Sequence, residues 1–425
     1  MRKFLYLILF VMTLCVFCCS CSQKTNDVKK TSSQHEKKLK SVPNNNTKED
    51  VISEEDLEKG YDLPVSAQEN EEATRDSMQI MSGLEHIYRN VDKGDSLNVF
   101  LDNKSICKMI KKIKQQGYSV TVSEDYSNME NYKRFSSFLA KAQEKQKGSG
   151  VIYEVHSEGS IGRKKFIYDG KEMFLLASNA SWDDNGKPII TFVSYTRIKK
   201  WRYSRKGWFC YELCVPEYPE VTEMVDGSCL IRIKPMSDNK RKLSRKCVRG
   251  LAYQGNNILC SNWDQEHMQK IDYNGLYEYL YAMKYKKKFN GKKYPSGIPK
   301  DQFEQLIMEY LPVSREDIEK YASYNEKKKT YDWMRLGCFN YAPNFFGTSI
   351  PEVTKIKHNS NGTVTLTVDA VCEMVLCNEA VITHELTVKF NKDGSFRYLG
   401  NKILNGGIKK IPEYQYRILK EKSKR

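Results

Sequence analysis

The spacing of apolar residues alternates along the chain between a helical period and a period of two. Apolar positions three and four residues apart predict helices, which lie at about residues 78–88, 106–113, 129–147, 273–285, 302–311 and 315–321. Alternating positions predict strands, which lie at about residues 118–122, 151–155, 165–168, 173–177, 189–198, 208–215, 331–336, 352–357, 363–368, 381–390 and 395–403. Because helices precede each run of strands, we predict an α+β fold.

An internal similarity at an offset of 192 residues relates the two runs of strands. Asp169-Gly170 and Asn361-Gly362 are both signals for two-residue hairpin turns, and they are 192 residues apart. At the same offset Ile190-Thr191 matches Ile382-Thr383 without a gap. We therefore predict two related domains that arose as an internal repeat.

Each predicted domain has helices packed on a curved antiparallel sheet. The order of elements is analogous to that of the cone-like nuclear-transport-factor and cystatin-like folds. Such folds host enzymes and binding modules alike, so the fold decides little about function. The predicted division of the chain is a signal peptide over 1–20, a lipidated cysteine and disordered tether over 21–76, domains over 77–215 and 299–405, a bridging segment with a tyrosine-rich helix over 216–298, and a basic C-terminal tail over 406–425.

The first residues of the chain have the pattern of a lipoprotein signal peptide. Two basic residues precede an unbroken apolar run, Phe4–Phe17, and Ser20 then precedes Cys21 and a polar stretch. A transmembrane helix needs about 20 apolar residues, so this run is too short to span a bilayer. We expect cleavage before Cys21, whose thiol would carry the fatty acid (palmitate), with Cys18 and Cys19 as alternatives. The sequence thus predicts a protein anchored in the cell membrane by its lipid, on the extracytoplasmic face.

The segment after the anchor is poor in aromatic residues. Residues 22–75 consist mainly of Lys, Asn, Ser, Thr and Glu, a composition that buries too little apolar surface to offset the cost of ordering. We interpret it as a tether. Its lysines nearest to the anchor are placed to lie on anionic head groups.

The net charge restricts the partners. The chain has 69 Lys and Arg against 53 Asp and Glu, a formal charge of +16, which favours anionic surroundings. On the outer side of a membrane, the anionic partners are lipid head groups or wall polymers, and nucleic acid is not expected. The sequence does not define a protein partner. The basic stretch 238–249 is interpreted as a solvated face or loop, and a basic surface that only aids solubility is the alternative.

The cysteines argue against a disulfide framework. Nine of the thirteen lie beyond the leader and its end, and an odd number cannot pair completely within one chain. Cys210 and Cys214 lie in a predicted strand, which separates them by about 13 Å and excludes a metal pair or a disulfide. Cys372 and Cys377 flank a predicted loop and are placed to approach each other.

Four stretches resemble an uncharacterised family of lipoproteins from Gram-positive anaerobic bacteria, known only as a domain of unknown function. They are Lys206–Glu212, Tyr253–Asn257, Asp272–Gly275 and Thr383–Thr387. The resemblance covers nearly all of the chain after the tether. It implies an extracytoplasmic location and adds no catalytic residue, cofactor or metal.

Motifs for familiar chemistry are missing from the sequence. It has no phosphate-binding glycine loop, nucleophile elbow or His-Glu-x-x-His helix. Asp264, Glu266 and His267 beside Trp263 suggest an oxygen and nitrogen metal site, but adjacent charges on a loop are more often solvated. Gly255–Asn257 is suited to presenting amides to a sugar with Trp263 as a platform, or to forming a turn in which asparagines cap backbone groups. We predict no catalytic, metal-binding or cofactor-binding residue.

His384 is the one titratable residue whose position conflicts with its surroundings. It shares the inward face of its predicted strand with Ile382 and Leu386, and its counterpart at the repeat offset is Phe192. One hypothesis makes it a neutral core histidine that hydrogen-bonds a neighbour. The other makes it the polar group that orients a ligand in a hollow second domain.

Two function classes follow. The first is a non-catalytic binding or sensing lipoprotein for a small ligand, wall polymer or partner protein. The second is a cell-envelope hydrolase or wall-modifying enzyme. Two acidic side chains that face one pocket at catalytic separation would favour the enzyme, and an apolar pocket with few polar groups would favour binding.

Overall fold

The computed structural model describes residues 53–92, 100–122, 126–337, 339–342, 345–372, 380–404 and 411–418. The predicted signal peptide and Cys21 lie outside these residues, as does Cys377. In the described part the fold is α+β, as predicted. Its helices are α1 Glu54–Lys59, α2 Ala67–Arg89, α3 Asn103–Gln115, α4 Tyr132–Gln143, α5 Asp238–Leu243, α6 Tyr273–Tyr285, α7 Lys300–Tyr310 and α8 Arg315–Tyr321. A π-helical turn, Ser244–Val248, continues α5.

The strands follow the predicted alternation in most places. They are β1 Ser119–Val122, β2 Gly148–Val155, β3 Ile161–Tyr168, β4 Met173–Trp182, β5 Pro188–Tyr203, β6 Trp208–Leu213, β7 Ser228–Arg232, β8 Trp263–Asp264, β9 Ile298–Pro299, β10 Tyr324–Asn325, β11 Thr330–Tyr331, β12 Ile350–His358, β13 Val364–Val371, β14 Ile382–Phe390 and β15 Phe396–Ile403. The strand predicted over 331–336 is wrong beyond Tyr331, because residues 332–337 have no ladder partner among the described residues.

The first sheet runs from β1 to β7 in chain order. Its pairs are antiparallel except β1 and β2, which are parallel and joined through α4; a parallel pair requires such a crossover. The sheet is curled, since Ile152 of β2 and Ile231 of β7 contact the same apolar cluster. Helices cover both faces: Phe135 of α4 packs on Phe166 and Phe209, whereas Ser77 of α2 hydrogen-bonds Ser178 on the opposite face.

Part of the segment predicted to be a tether is folded. Ser66 and Glu69 form a capping box that starts α2 ten residues before the predicted boundary at 77. Upstream of it, Leu63 is buried against β4 and β5, and its amide donates to the carbonyl of Tyr195. The tether prediction is therefore too long. Averaged composition hid the few apolar side chains and the cap that order residues 53–76.

The second large sheet has the order β12, β13, β14, β15, β8, with antiparallel pairs throughout. Its edge strand β8 comes from the segment 216–298, and β7 of the same segment joins the first sheet. Tyr273 and Leu276 of α6 are buried in the core beneath the second sheet. The segment predicted as a bridge is thus divided between the two sheets. A short third sheet joins β10, β11 and β9.

The 192-residue offset relates strands that hold different positions in the two large sheets. Ile190 lies on β5, the fifth of seven strands, and Ile382 lies on β14, the third of five. The turns differ from the prediction: four residues, Asp169–Glu172, separate β3 from β4, and residues 359–363 separate β12 from β13. The amide of Asp169 donates to the carbonyl of Glu172 around two residues, whereas the amide of Asn359 donates to the carbonyl of Thr363 around three. The ladders are therefore shifted relative to the offset. Common descent of the two halves stays a prediction.

Part of the predicted C-terminal tail belongs to the core. Arg417 is 3% exposed, forms an ion pair with Glu278 at 2.8 Å, and donates to the carbonyl of Gly255 at 2.8 Å. The partners of this arginine are about 140 and 160 residues away in sequence, so local composition could not reveal them. Within the described ranges, no helix is long and apolar enough to cross a bilayer.

Candidate functional site

His384 on β14 is completely buried and both ring nitrogens have partners. Nδ1 lies 2.6 Å from Oδ1 of Asn401, and Nε2 lies 2.8 Å from the hydroxyl of Tyr253. The amide nitrogen of Asn401 donates to the carbonyls of Leu259 and Ser261, so Oδ1 faces the histidine and must accept. Nδ1 therefore carries the proton, and Nε2 accepts from Tyr253.

This environment opposes protonation of the ring. Burial lowers the pKa of His384 from 6.5 to about 4, and the hydrogen bond to Asn401 offsets only part of that effect. A cavity beside Tyr253 also touches Phe346 and Tyr414, but its volume is about 20 Å³, room for one water molecule. The geometry matches a neutral core histidine; a ligand-orienting role stays a prediction.

Two carboxylates meet where the two halves of the molecule join. Glu352 of β12 and Asp369 of β13 are cross-strand partners, and both are buried. Arg232 of β7 reaches both oxygens of Glu352 at 2.6 Å, and Lys206 forms an ion pair with Asp369. Burial raises the pKa of Glu352, and the negative charge of Asp369 adds to that effect. Both carboxylates are occupied by cations from the first half, so they link the halves and do not face a pocket as a catalytic pair.

The loop candidates for metal and sugar binding are structural. Asp264 accepts from the amides of Glu266 and His267 and from the imidazole of His267 at 2.7 Å, which is a local turn. Trp263 is buried, with its indole nitrogen donating to the carbonyl of Ile258 at 2.8 Å, so its face is not open to a sugar. Among the described residues, no group of three His, Cys, Asp or Glu side chains is arranged to hold a metal ion.

The asparagines of the same region cap backbone groups. Asn257 donates to the carbonyl of Lys270 and accepts from the amide of Asp272, and both bonds are shorter than 3 Å. Asn256 accepts from the amide of Ile258. These contacts agree with the turn hypothesis, in which asparagine side chains replace backbone partners.

The thiols of Cys210 and Cys214 are buried in different places. Cys210 packs with Trp208 and Val371, whereas Cys214 lies next to Gly60. Neither is part of a disulfide, and their separate neighbours agree with the strand argument that they form no joint site. Burial raises the pKa of Cys247 and of Cys260 to about 12, so neither is a poised nucleophile.

One concavity in the described part of the structure is an open groove lined by cations. Its volume is about 430 Å³, and its walls are formed by Asp238, Arg241, Lys242, Arg245, Lys246 and Lys286. We call it the basic groove. One wall comes from α5 and the π-helical turn, and the other from Lys286, the residue that ends α6. Five of the six lining residues are cationic, so the groove is suited to an anionic ligand.

The helix wall is fixed to the second sheet through its buried side. Ser244 accepts a hydrogen bond from the amide of Val353 on β12 at 3.0 Å, and Cys247 and Val248 are buried in the same core. Just beyond the turn, a Cβ on Gly250 would lie 2.2 Å from Cγ of Met283 in α6. Glycine therefore allows the two walls to approach closely. A π-helical turn often marks a functional site.

The cations of the groove fall into two groups. Arg241 donates to the carbonyl of Tyr126 at 2.8 Å, and Lys246 donates to the carbonyl of Gly394 with its ammonium 5.1 Å from the ring of Phe390. These contacts hold the two side chains against the protein. Lys242, Arg245 and Lys286 are exposed. The groove thus combines positioned cations with solvent-facing ones, an arrangement able to bind several negative charges at once.

The sequence does not predict this groove. The basic stretch 238–249 is visible in the sequence, but such a charge run predicts a solvated face or loop. Lys286 follows the tyrosine-rich helix, whose Tyr277 stacks on Phe303 of α7 with 4.9 Å between ring centroids. A run of three lysines, 286–288, directly after an apolar helix was the available signal.

Fold and site together define an α+β protein with a basic surface groove and no recognisable catalytic constellation in its described residues. The chain belongs to a family of unknown function, DUF6070, whose sequence model matches residues 70–417. No curated protein and no solved structure matches the chain.

Proposed function

We propose that this protein is a membrane-anchored extracytoplasmic lipoprotein whose basic groove binds a phosphate-bearing polymer of the cell wall without catalysis. The groove carries the proposal, because five of its six lining residues are cations. Its open shape suits a chain that passes along the surface and leaves at both ends. An enclosed small-molecule site would instead bury most of its ligand.

The arrangement of cations supports a polyanion over a single anion. Arg241 and Arg245, like Lys242 and Lys246, are four residues apart in sequence, which in a helix is a separation of roughly 6 Å along the axis. Lys286 stands on the opposite wall. Successive phosphates of one chain can therefore contact several cations, and each added contact strengthens binding through linkage.

The occupied carboxylates favour binding over hydrolysis. Glu352 and Asp369 are neighbours, but each is paired with a cation. A glycosidase needs two carboxyl groups that flank the substrate. The hydrolase alternative therefore has no supporting geometry at this pair.

The test is binding of poly(glycerol phosphate) to the full-length lipidated protein in detergent. We expect Lys242→Glu/Lys286→Glu to weaken binding more than tenfold, since each cation near a charged partner contributes about 1 kcal/mol and reversal adds repulsion. The matched control is Lys327→Glu/Lys328→Glu, two exposed lysines on the turn between β10 and β11, which should change affinity less than twofold. Equal weakening by both variants would contradict a role for the groove.

The anchor is tested separately from the groove. Cys21→Ala should abolish incorporation of labelled fatty acid and release the protein from the membrane fraction, while the groove keeps its affinity for the polymer. If label still enters the variant, Cys21 is not the lipidated residue.

A further inference from the structure

We propose that the outward face of α3 is a second anion-binding site, which docks the protein on the phospholipid head groups of the bilayer. This surface is distinct from the basic groove. It does not require that the groove binds a polymer.

Helix α3 separates apolar and basic residues completely. Ile106, Met109 and Ile113 are buried against the first sheet and α2. The outward face carries Lys104, Cys107, Lys108, Lys111 and Lys114. No acidic residue occurs between Asn103 and Gln115. Asp102 caps the helix by accepting from the amide of Ser105 at 2.8 Å. Glu130, which lies outside the helix, forms an ion pair with Lys114 at 2.7 Å.

The shape of this face distinguishes a bilayer from a polymer chain. The lysines project from a convex helix of 13 residues, which is roughly 20 Å long. A flat anionic surface can contact all of them at once, whereas a single chain cannot enclose a convex face. The apolar side is committed to the protein core, so we expect electrostatic docking without insertion of the helix.

The docking face lies near the basic groove. Asn131 donates to the carbonyl of Lys114 at the end of α3, and the carbonyl of Tyr126 accepts from Arg241 in the groove wall. Tyr126 and Asn131 are five positions apart in sequence, so their Cα atoms are separated by at most about 18 Å. Tyr126 contacts the groove wall and Asn131 contacts the end of α3. Docking through α3 would therefore hold the groove close to the head-group layer.

Cys107 provides a built-in reporter for this contact. Its exposed thiol lies on the docking face, within one helical turn of Lys104 and Lys111. The experiment reconstitutes the full-length lipidated protein in vesicles of phosphatidylcholine alone or with phosphatidylglycerol. A maleimide that cannot cross the bilayer then labels the thiols, and peptide mapping reports Cys107. For each protein, the labelling rate of Cys107 in detergent is divided by its rate on the vesicles. This ratio measures protection and removes differences in intrinsic reactivity.

We expect Cys107 to react at least fivefold more slowly on the anionic vesicles than on the neutral ones, and high salt should remove the difference. Lys104→Glu/Lys108→Glu/Lys111→Glu should abolish the protection. Lys327→Glu/Lys328→Glu should retain it. Equal protection on both kinds of vesicle, or loss of protection in the control variant, would overturn the proposal. Because no polymer is present, this result is independent of the groove.

Discussion

Removing the titratable group of His384 should change how stability depends on pH. The ring is neutral, is completely buried, and bonds Tyr253 and Asn401. Glutamine offers an amide that can donate to Asn401 and a carbonyl oxygen that can accept from Tyr253, but it does not titrate. His384→Gln therefore keeps both kinds of hydrogen bond and deletes only the proton-binding site.

The magnitude follows from the difference between folded and unfolded pKa values. The folded pKa of His384 is about 4 and the ordinary value is 6.5. Between these values the unfolded chain binds one more proton than the folded protein, so stability falls as the pH falls. Each unit of pKa difference is worth 1.36 kcal/mol, which gives a loss of about 3 kcal/mol between pH 6.5 and pH 4. Well above pH 6.5 the ring is neutral in both the folded and the unfolded state, so the histidine causes no loss of stability there.

The assay is urea unfolding of wild type and His384→Gln at half-unit steps from pH 7.5 to pH 4. Other groups titrate in both proteins, so the difference between the two curves isolates the histidine. The wild type should lose about 3 kcal/mol more than the variant over this range. Parallel curves would refute the assignment of a buried neutral ring, and they would reopen the hypothesis that His384 faces a solvated ligand site.

Two further predictions concern the junction and the groove wall. Arg232→Met should leave Glu352 buried without its cation and lower the free energy of unfolding by about 3–5 kcal/mol. The double variant Arg232→Met/Glu352→Leu should recover most of this loss. If Arg232→Met is as stable as wild type in thermal unfolding, the ion pair does not stabilise the fold. Gly250→Ala should cost about 1–3 kcal/mol because its Cβ would lie 2.2 Å from Met283, while Gly83→Ala inside α2 should cost nothing in the same measurement.

Local signals in the sequence predicted most of the secondary structure. The alternation of Ile382, His384 and Leu386 predicts both the strand and its inward face. Successive side chains of a strand point to opposite faces, so every second residue lies on the same face. The α+β class followed from the order of such segments. The early start of α2 was missed because a capping box at Ser66 and Glu69 was hidden in a polar composition.

Contacts between distant residues could not be predicted in this way. Tyr253 and His384 are 131 residues apart, and Arg417 lies 162 residues from Gly255. The groove likewise requires Lys286 to face α5, a placement set by the close approach at Gly250. Hydrophobic periodicity carries no information about which elements meet, so the site emerged only from the tertiary arrangement.

The most direct test of the central claim is a lysine footprint of the full-length protein with poly(glycerol phosphate). An amine-reactive acylating reagent modifies exposed lysines, and mass spectrometry gives the rate at each position. If the polymer occupies the basic groove, the rates at Lys242 and Lys286 should fall severalfold, while those at Lys327 and Lys328 stay unchanged. Uniform slowing at all four lysines, or slowing that spares Lys242 and Lys286, would contradict binding in the groove.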